Sequence, residues 1–199
     1  MSRPRTFCEV SALDRALEVF WRSGYEGASI SALTEAMGIN RPSLYATYGN
    51  KEELFQKALA RYVALKNEFF QEVLAEPTAR EMVAKLLDGA AEILTDPEHP
   101  AGCLSVQGAL ACSAETERVH HELAKIRAEY EGRLRQRFAE ECADGRLPPG
   151  TDPDVLARFV ATISHGMSVQ ASGGATCEQL REVAQMAMRA WPVPDQARA

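Results

Sequence analysis

The chain has no long apolar run. Nothing in its 199 residues approaches the ~20 needed to span a membrane. The amino-terminal stretch MSRPRTFCEV is basic and lacks the apolar core of a signal peptide. These absences point to a cytoplasmic protein without membrane contact. Cysteine is sparse and unpatterned. The five, Cys8, Cys103, Cys112, Cys142 and Cys177, are odd in number, widely spaced and free of any CxxC. A disulfide framework or a cysteine zinc site is therefore not expected. The four histidines include the pair His120–His121, which would point in different directions from a helix and make a poor metal pair. No catalytic motif or cofactor fingerprint is present, so no cofactor and no catalytic residue are expected. Positive charge is also in short supply. The net charge of −6 and pI near 5.3 argue mildly against nucleic acid. Binding depends on local charge, however, and Arg3, Arg5, Arg15, Arg22, Arg41 and Lys51 cluster toward the amino end.

Helical periodicity fills most of what remains, and no convincing strand or repeat interrupts it. Residues 1–6 read as a basic arm. A first helix is expected from Thr6 to Ser23, with Leu13, Ala16, Leu17, Phe20 and Trp21 as its apolar stripe. Gly24 stops it. Ser29–Lys51 then reads as two short helices joined by a tight turn. Ser29 caps the first, Gly38 ends it in the left-handed conformation, and Asn40 caps the second with Pro42 in its opening turn. Leu44 and Tyr48 are four apart and face inward, which leaves Arg41, Ser43, Tyr45 and Thr47 outside. This is the layout of a helix-turn-helix whose second helix enters a DNA major groove.

A fourth helix opens at Asn50, with Glu53 in a capping box. Its apolar positions Leu54, Phe55, Ala58, Leu59, Tyr62, Phe69 and Val73 run on to Leu74, long enough to join two lobes. Thr78 with Glu81 opens a fifth, which continues through Met82, Leu86, Leu87, Ala90 and Leu94. Cys103–Cys112 reads as a short helix of small residues. From Ala114 or Glu115 a long helix carries Val119, Leu123, Ile126, Tyr130, Leu134 and Phe138. Asp152 and Thr176 cap the last two helices, each broadly apolar. The fold class is all-α, with about nine helices. Residues 1–50 form a helix-turn-helix domain and 51–199 a helical ligand-binding and dimerisation domain.

The segment VFWRSGYEGASISALTEAMGINRPSLYATYGNKEELF, Val19–Phe55, resembles the TetR/AcrR family of bacterial transcriptional repressors. The likeness lies in the aromatic–Gly–Tyr step, the Ser29 cap, Gly38, the Leu44–Tyr45 pair, Tyr48 and Lys51. It implies double-stranded operator DNA as a partner and names Ser29, Asn40, Arg41, Pro42, Ser43, Tyr45, Thr47, Tyr48 and Lys51 as the binding set. Arg41 can reach a guanine edge or a phosphate, and Ser43 and Thr47 can contact a base edge or a phosphate. Tyr45 matches a family tyrosine that contacts the backbone or a thymine methyl. Thr47 replaces the family's frequent histidine. Lys51, with the free N–H groups of the fourth helix, can converge on one phosphate.

The resemblance also implies a homodimer through Asp154–Ser172 and Cys177–Ala190, with Ala157, Ala161, Gly166, Ala184 and Ala187 permitting close helix approach. It implies a small-molecule effector among the fifth to eighth helices. Gln107, Tyr130 and His165 are candidate polar contacts there. Cys103 follows Pro-Ala-Gly at a helix start, where the dipole favours a thiolate. Its GCL triplet resembles a branch that includes electrophile- and oxidant-sensing members. Two other readings stand beside the repressor: an enzyme using Cys103 with His99 or His165 as base, and a helical binding protein without DNA output.

Overall fold

The structure is a computed structural model and describes residues 8–107 and 116–192. Among these residues it contains nine helices and no strand. In chain order they are α1 (Glu9–Gly27), α2 (Ile30–Met37), α3 (Arg41–Tyr48), α4 (Lys51–Leu74), α5 (Ala79–Leu94), α6 (Leu104–Gln107), α7 (Glu117–Ala143), α8 (Pro153–Ser172) and α9 (Cys177–Arg189). The all-α expectation holds. The basic arm with Arg3 and Arg5, the start of the first helix at Thr6, the end of the short helix at Cys112 and the start of the long one at Ala114 or Glu115 lie outside the described residues.

Local chemistry sets most helix ends. In α1, Gly24 has φ 68° and ψ 177°, so the helical path breaks where a stop was expected, then resumes for a last turn to Gly27. Asn50 and Glu53 form a reciprocal capping box on α4, as do Thr78 with Glu81 on α5 and Thr176 with Gln179 on α9. Asp152 accepts the opening amides of α8, where Pro153 gives up no needed hydrogen bond.

Two cores result. The first packs Ala16, Leu17, Phe20 and Trp21 of α1 against Leu33, Met37, Leu44 and Tyr48, and extends into Leu54–Tyr62 of α4, Leu104, Val119 and Leu123. It therefore runs well past residue 50, and the first half of α4 belongs to it. The second joins the end of α4 to α5, the later half of α7, α8 and α9. In α4 the periodicity placed Phe69 inside, whereas Phe70 is the buried residue and Phe69 is half-buried. Ala12 is buried in α1, while Leu13 is only partly covered.

Candidate nucleic-acid interface

The head is built so that one helix face stays free. Ser29 Oγ accepts the Ala32 amide at 3.1 Å and starts α2. Gly38 ends α2 at φ 67°, and the amides of Gly38 and Ile39 return to Glu35 and Thr34 carbonyls at 3.1 Å. The turn leaves Asn40 Oδ1 2.8 Å from the Ser43 amide, which starts α3 in the new direction. Leu44 and Tyr48 anchor α3 in the core. At its other end, Lys57 Nζ donates to the Thr47 and Tyr48 carbonyls at 3.4 and 3.3 Å. Phe20 and Phe55 meet edge to face with centroids 5.0 Å apart beneath it.

The exposed face of α3 carries Arg41, Pro42, Tyr45 and Ala46, while Ser43 and Thr47 are half-buried at its sides. Tyr45 is 51% exposed, with its ring on the outer face. Arg41 Nη2 donates to Ser31 Oγ at 2.8 Å, which holds the guanidinium over the outer end of α2. Lys51 sits at the start of α4 with its ammonium 4.6 Å above the Tyr25 ring and 3.4 Å from the Glu26 carbonyl. Burial lowers the Lys51 pKa, and the Glu26 charge opposes that shift. The Asn50 and Glu53 amides are already taken by the capping box, so the amides of Lys51 and Glu52 remain to meet an anion there.

One member of the expected DNA-binding set lies elsewhere. Tyr48 is buried, and its hydroxyl donates to the Glu9 carbonyl at 2.8 Å. It ties α3 to α1 and presents no ring to the outer face, as its spacing from Leu44 already implied. Three residues outside the expected set shape the face: Ser31, Lys57 and Tyr25. Ser31 had no distinguishing signal in the sequence, and Tyr25 stood out only through the aromatic–Gly–Tyr step. Lys57 lies two turns beyond Lys51, on a helix whose start pointed toward α3.

Behind the head, α4, α5, α6, α7 and α8 enclose a cavity of about 230 Å³. Cys103, Tyr130 and His165 line it. Gln107 does not: its amide is held by the Ala101 carbonyl at 2.8 Å and by Ser172 Oγ. Tyr62 Oη donates to Cys103 Sγ at 3.0 Å, and Ser105 Oγ lies 3.1 Å from the same sulfur. Burial, reinforced by Cys103, raises the Tyr62 pKa well above its ordinary value, so Tyr62 keeps its proton. Burial lowers the pKa of His165 and Arg127 adds to this, while Glu131 opposes them, so the imidazole is neutral at pH 7. Burial pushes Tyr130 up to about 12, offset only in part by Ser164.

The loop before α6 also touches the head. Trp21 Nε1 donates to the Gly102 carbonyl at 3.2 Å, and its ring meets Tyr62 edge to face at 4.9 Å. On the opposite side of the body, Ala157, Ala161, Ala184 and Ala187 are buried in the chain's own core. They serve α5, α7 and α8 contacts rather than an outer surface. The apolar side chains left outside are Val155, Phe159, Val169, Val183 and Met186. No helix among the described residues is long and apolar enough to cross a membrane.

Residues 12–58 match the family model for bacterial regulatory proteins of the tetR family, and residues 79–191 match a tetracyclin repressor-like C-terminal domain. The HTH-type transcriptional repressor ComR of Escherichia coli is 35% identical, over 96% of this chain and 91% of its own length. A cysteine mutant of the transcriptional regulator CifR, solved with 26-base-pair double-strand operator DNA, is 46% identical with a TM-score of 0.91. That match covers 96% of this chain and all of CifR. A regulator from Rhodococcus sp. RHA1 is 41% identical with a TM-score of 0.64, covering 94% of this chain and all of its own.

Proposed function

Because this chain belongs to the TetR family of bacterial regulatory proteins, and is a transcriptional regulator rather than an enzyme, we propose that it is a homodimeric, effector-released repressor. It acts in the cytoplasm on a palindromic operator. The observation that carries this reading is the outer face of α3, where Arg41 and Tyr45 stand exposed on a helix fixed at both ends. Arg41 is released from Ser31 to a guanine edge or a phosphate, and Tyr45 lies on a thymine methyl or the backbone. Ser29, Ser43, Thr47 and Lys51 take phosphates, with Asn40 and Pro42 setting the angle of entry. The operator-bound CifR structures support carrying this over.

One recognition helix reads few base pairs, so the second head comes from a partner copy. The exposed Val155 and Phe159 of α8 and Val183 and Met186 of α9 support a dimer through these helices. The cavity supports an effector. Its wall includes Tyr62 of α4, whose first turn holds Lys51 in the head. A molecule that moves α4 shifts the spacing of the two heads and lowers affinity for the operator.

Cys103 supports a second mode of release. Its sulfur faces the cavity between two hydroxyls, where a thiol-reactive effector would add to it. If Cys103→Ser abolishes release by a quinone or aldehyde, the thiol is the trigger. Release unchanged in the variant leaves the cavity alone responsible.

The test of the main reading is a salt titration of binding to the DNA upstream of the protein's own gene. The expected result is tight binding that weakens linearly in log–log form with salt, and a slope about one unit smaller for Lys51→Ala. Weak binding of equal strength to any DNA would refute it.

A further inference from the structure

The charge pattern of the cavity narrows the chemistry of the effector. Phe69, Phe70, Leu86, Ile93, Val106 and Ile126 give it an apolar wall. Three cations share that wall: Lys66, Arg127 and Arg133. Among the described residues none of the three makes an ion pair. Most other cations of the body do make ion pairs. Lys85 pairs with Glu76, Arg137 and Arg146 with Glu141, Arg158 with Glu131, and Arg181 with Asp88 and Glu92.

The partners the three cations do have are neutral. Lys66 Nζ lies over the Trp21 and Tyr62 rings, at 5.2 and 5.7 Å. Arg133 stacks 4.4 Å from the Phe70 centroid and donates to Asn67 Oδ1 at 3.0 Å. Asn67 follows Lys66 on α4, so the two cations share one side of the cavity. Arg127 donates to the Ser105 carbonyl. Burial lowers the Lys66 pKa, against the pull of Cys103 and Asp96, and burial lowers that of Arg133. Asp96 pulls on Lys66 but forms no ion pair with it, and its Oδ1 accepts the Glu98 amide at 3.0 Å. Glu129 also lines the cavity, is exposed and lies 4.0 Å from Lys125, and Glu131 pairs with Arg158. Partly desolvated cations that make no ion pair favour an incoming anion.

A second observation points the same way. Ser168 is 1% exposed, and its Oγ has no hydrogen-bond partner. It lines the cavity and can donate to a ligand oxygen. The volume of about 230 Å³ exceeds the ~150 Å³ that holds benzene and falls below the ~300 Å³ where drug-sized sites begin.

We infer that the effector is a small amphipathic organic anion, an alkyl or aryl-alkyl carboxylate. Its carboxylate meets Lys66 and Arg133, and its apolar tail lies among the aromatic and aliphatic wall. This rests on the reading of the cavity as the effector site of a repressor.

Octanoate, octanamide and octylamine differ chiefly in the head group and serve as probes. Each is titrated calorimetrically into the full-length protein at neutral pH, below its micelle concentration. The expected order is octanoate tighter than octanamide by about tenfold or more, with octylamine weakest. Arg133→Gln and Lys66→Met each bring octanoate down toward the amide while octanamide is unchanged, with folding checked by circular dichroism. Equal or tighter binding of the amide or amine, no binding by any probe, or unchanged octanoate binding in both folded variants would overturn the inference. Operator affinity is measured in parallel. Protein that binds no operator refutes the repressor reading and leaves the calorimetric comparison standing. Protein that binds operator but prefers the amide refutes the anion alone. Octanoate that binds without weakening operator affinity removes its role as effector.

Discussion

The head and the body solve the burial problem in opposite ways. The head core is apolar throughout, with Phe20, Leu33, Leu44, Leu54 and Phe55 all fully buried and interlocked. The body core is incomplete. It encloses a cavity, buries Glu141, and keeps the Ser168 hydroxyl from a partner. Dense packing suits a rigid reader, because a recognition helix must hold its angle to fit a groove. Voids and unmet polar groups suit a receiver, because a ligand can supply what the fold omits.

The largest expected contrast lies in packing. Phe20→Ala should cost about 3–5 kcal/mol, since its fully buried site has little room to collapse. Phe69→Ala, at the cavity wall and already half-buried, should cost about 1–2 kcal/mol. Urea unfolding of both variants measures this, and equal losses would break the contrast.

Next comes the buried charge. Glu141 is 2% exposed and receives Arg137 and Arg146 at 2.8 Å. Burial pushes its pKa up, but the Arg146 hydrogen bond, the Ala79 amide and the two guanidinium charges outweigh it, so the net direction is downward. The stabilisation is therefore full above the ordinary glutamate value of about 4.3 and is lost as pH falls through the lower folded value. Glu141→Ala should cost about 3 kcal/mol at neutral pH, and the deficit should shrink on acidification. A deficit independent of pH would point to packing instead.

Arg41→Ala and Tyr45→Ala carry the third contrast. Each should weaken operator binding about 10- to 100-fold, or about 1–3 kcal/mol, while changing stability by less than about 0.5 kcal/mol. Fluorescence anisotropy against thermal melting separates the two effects. Smallest is Gly38→Ala, which forces a side chain into the left-handed region at φ 67° and should cost about 1 kcal/mol. The added Cβ would meet nothing nearer than Arg15 at 3.8 Å, so any larger loss would mean a packing role.

How much of this the sequence could reveal follows the same division. Each boundary within the helix-turn-helix, and the start of α4, has a local cause within four residues: Ser29, Gly38, Asn40 with Pro42, Asn50 with Glu53. Such signals survive without tertiary knowledge. The cavity has none. Ile126 and Tyr130 occupy the same stripe as Leu123, Leu134 and Phe138, and only assembly shows that the first two face a void. Lys66 carried a faint signal, lying four residues from both Tyr62 and Phe70 on one apolar face. Periodicity alone reads such a lysine as a solvated edge. In α8 and α9 the small residues suggested an interface, yet tight intrachain packing uses Ala157, Ala161, Ala184 and Ala187, while Gly166 stays exposed and the larger Val155 and Met186 are left exposed at 62% each. Shape complementarity between helices far apart in sequence decides these cases.

The most direct test of a two-headed switch is a DNase I footprint on DNA upstream of the protein's own gene, combined with the mass of the complex by light scattering. The account predicts a protected site with two-fold symmetry, its half-sites about one helical turn of roughly 34–36 Å apart or a multiple of it, covered by an even number of chains. A monomer bound to an asymmetric site, or no protected site at all, would contradict it.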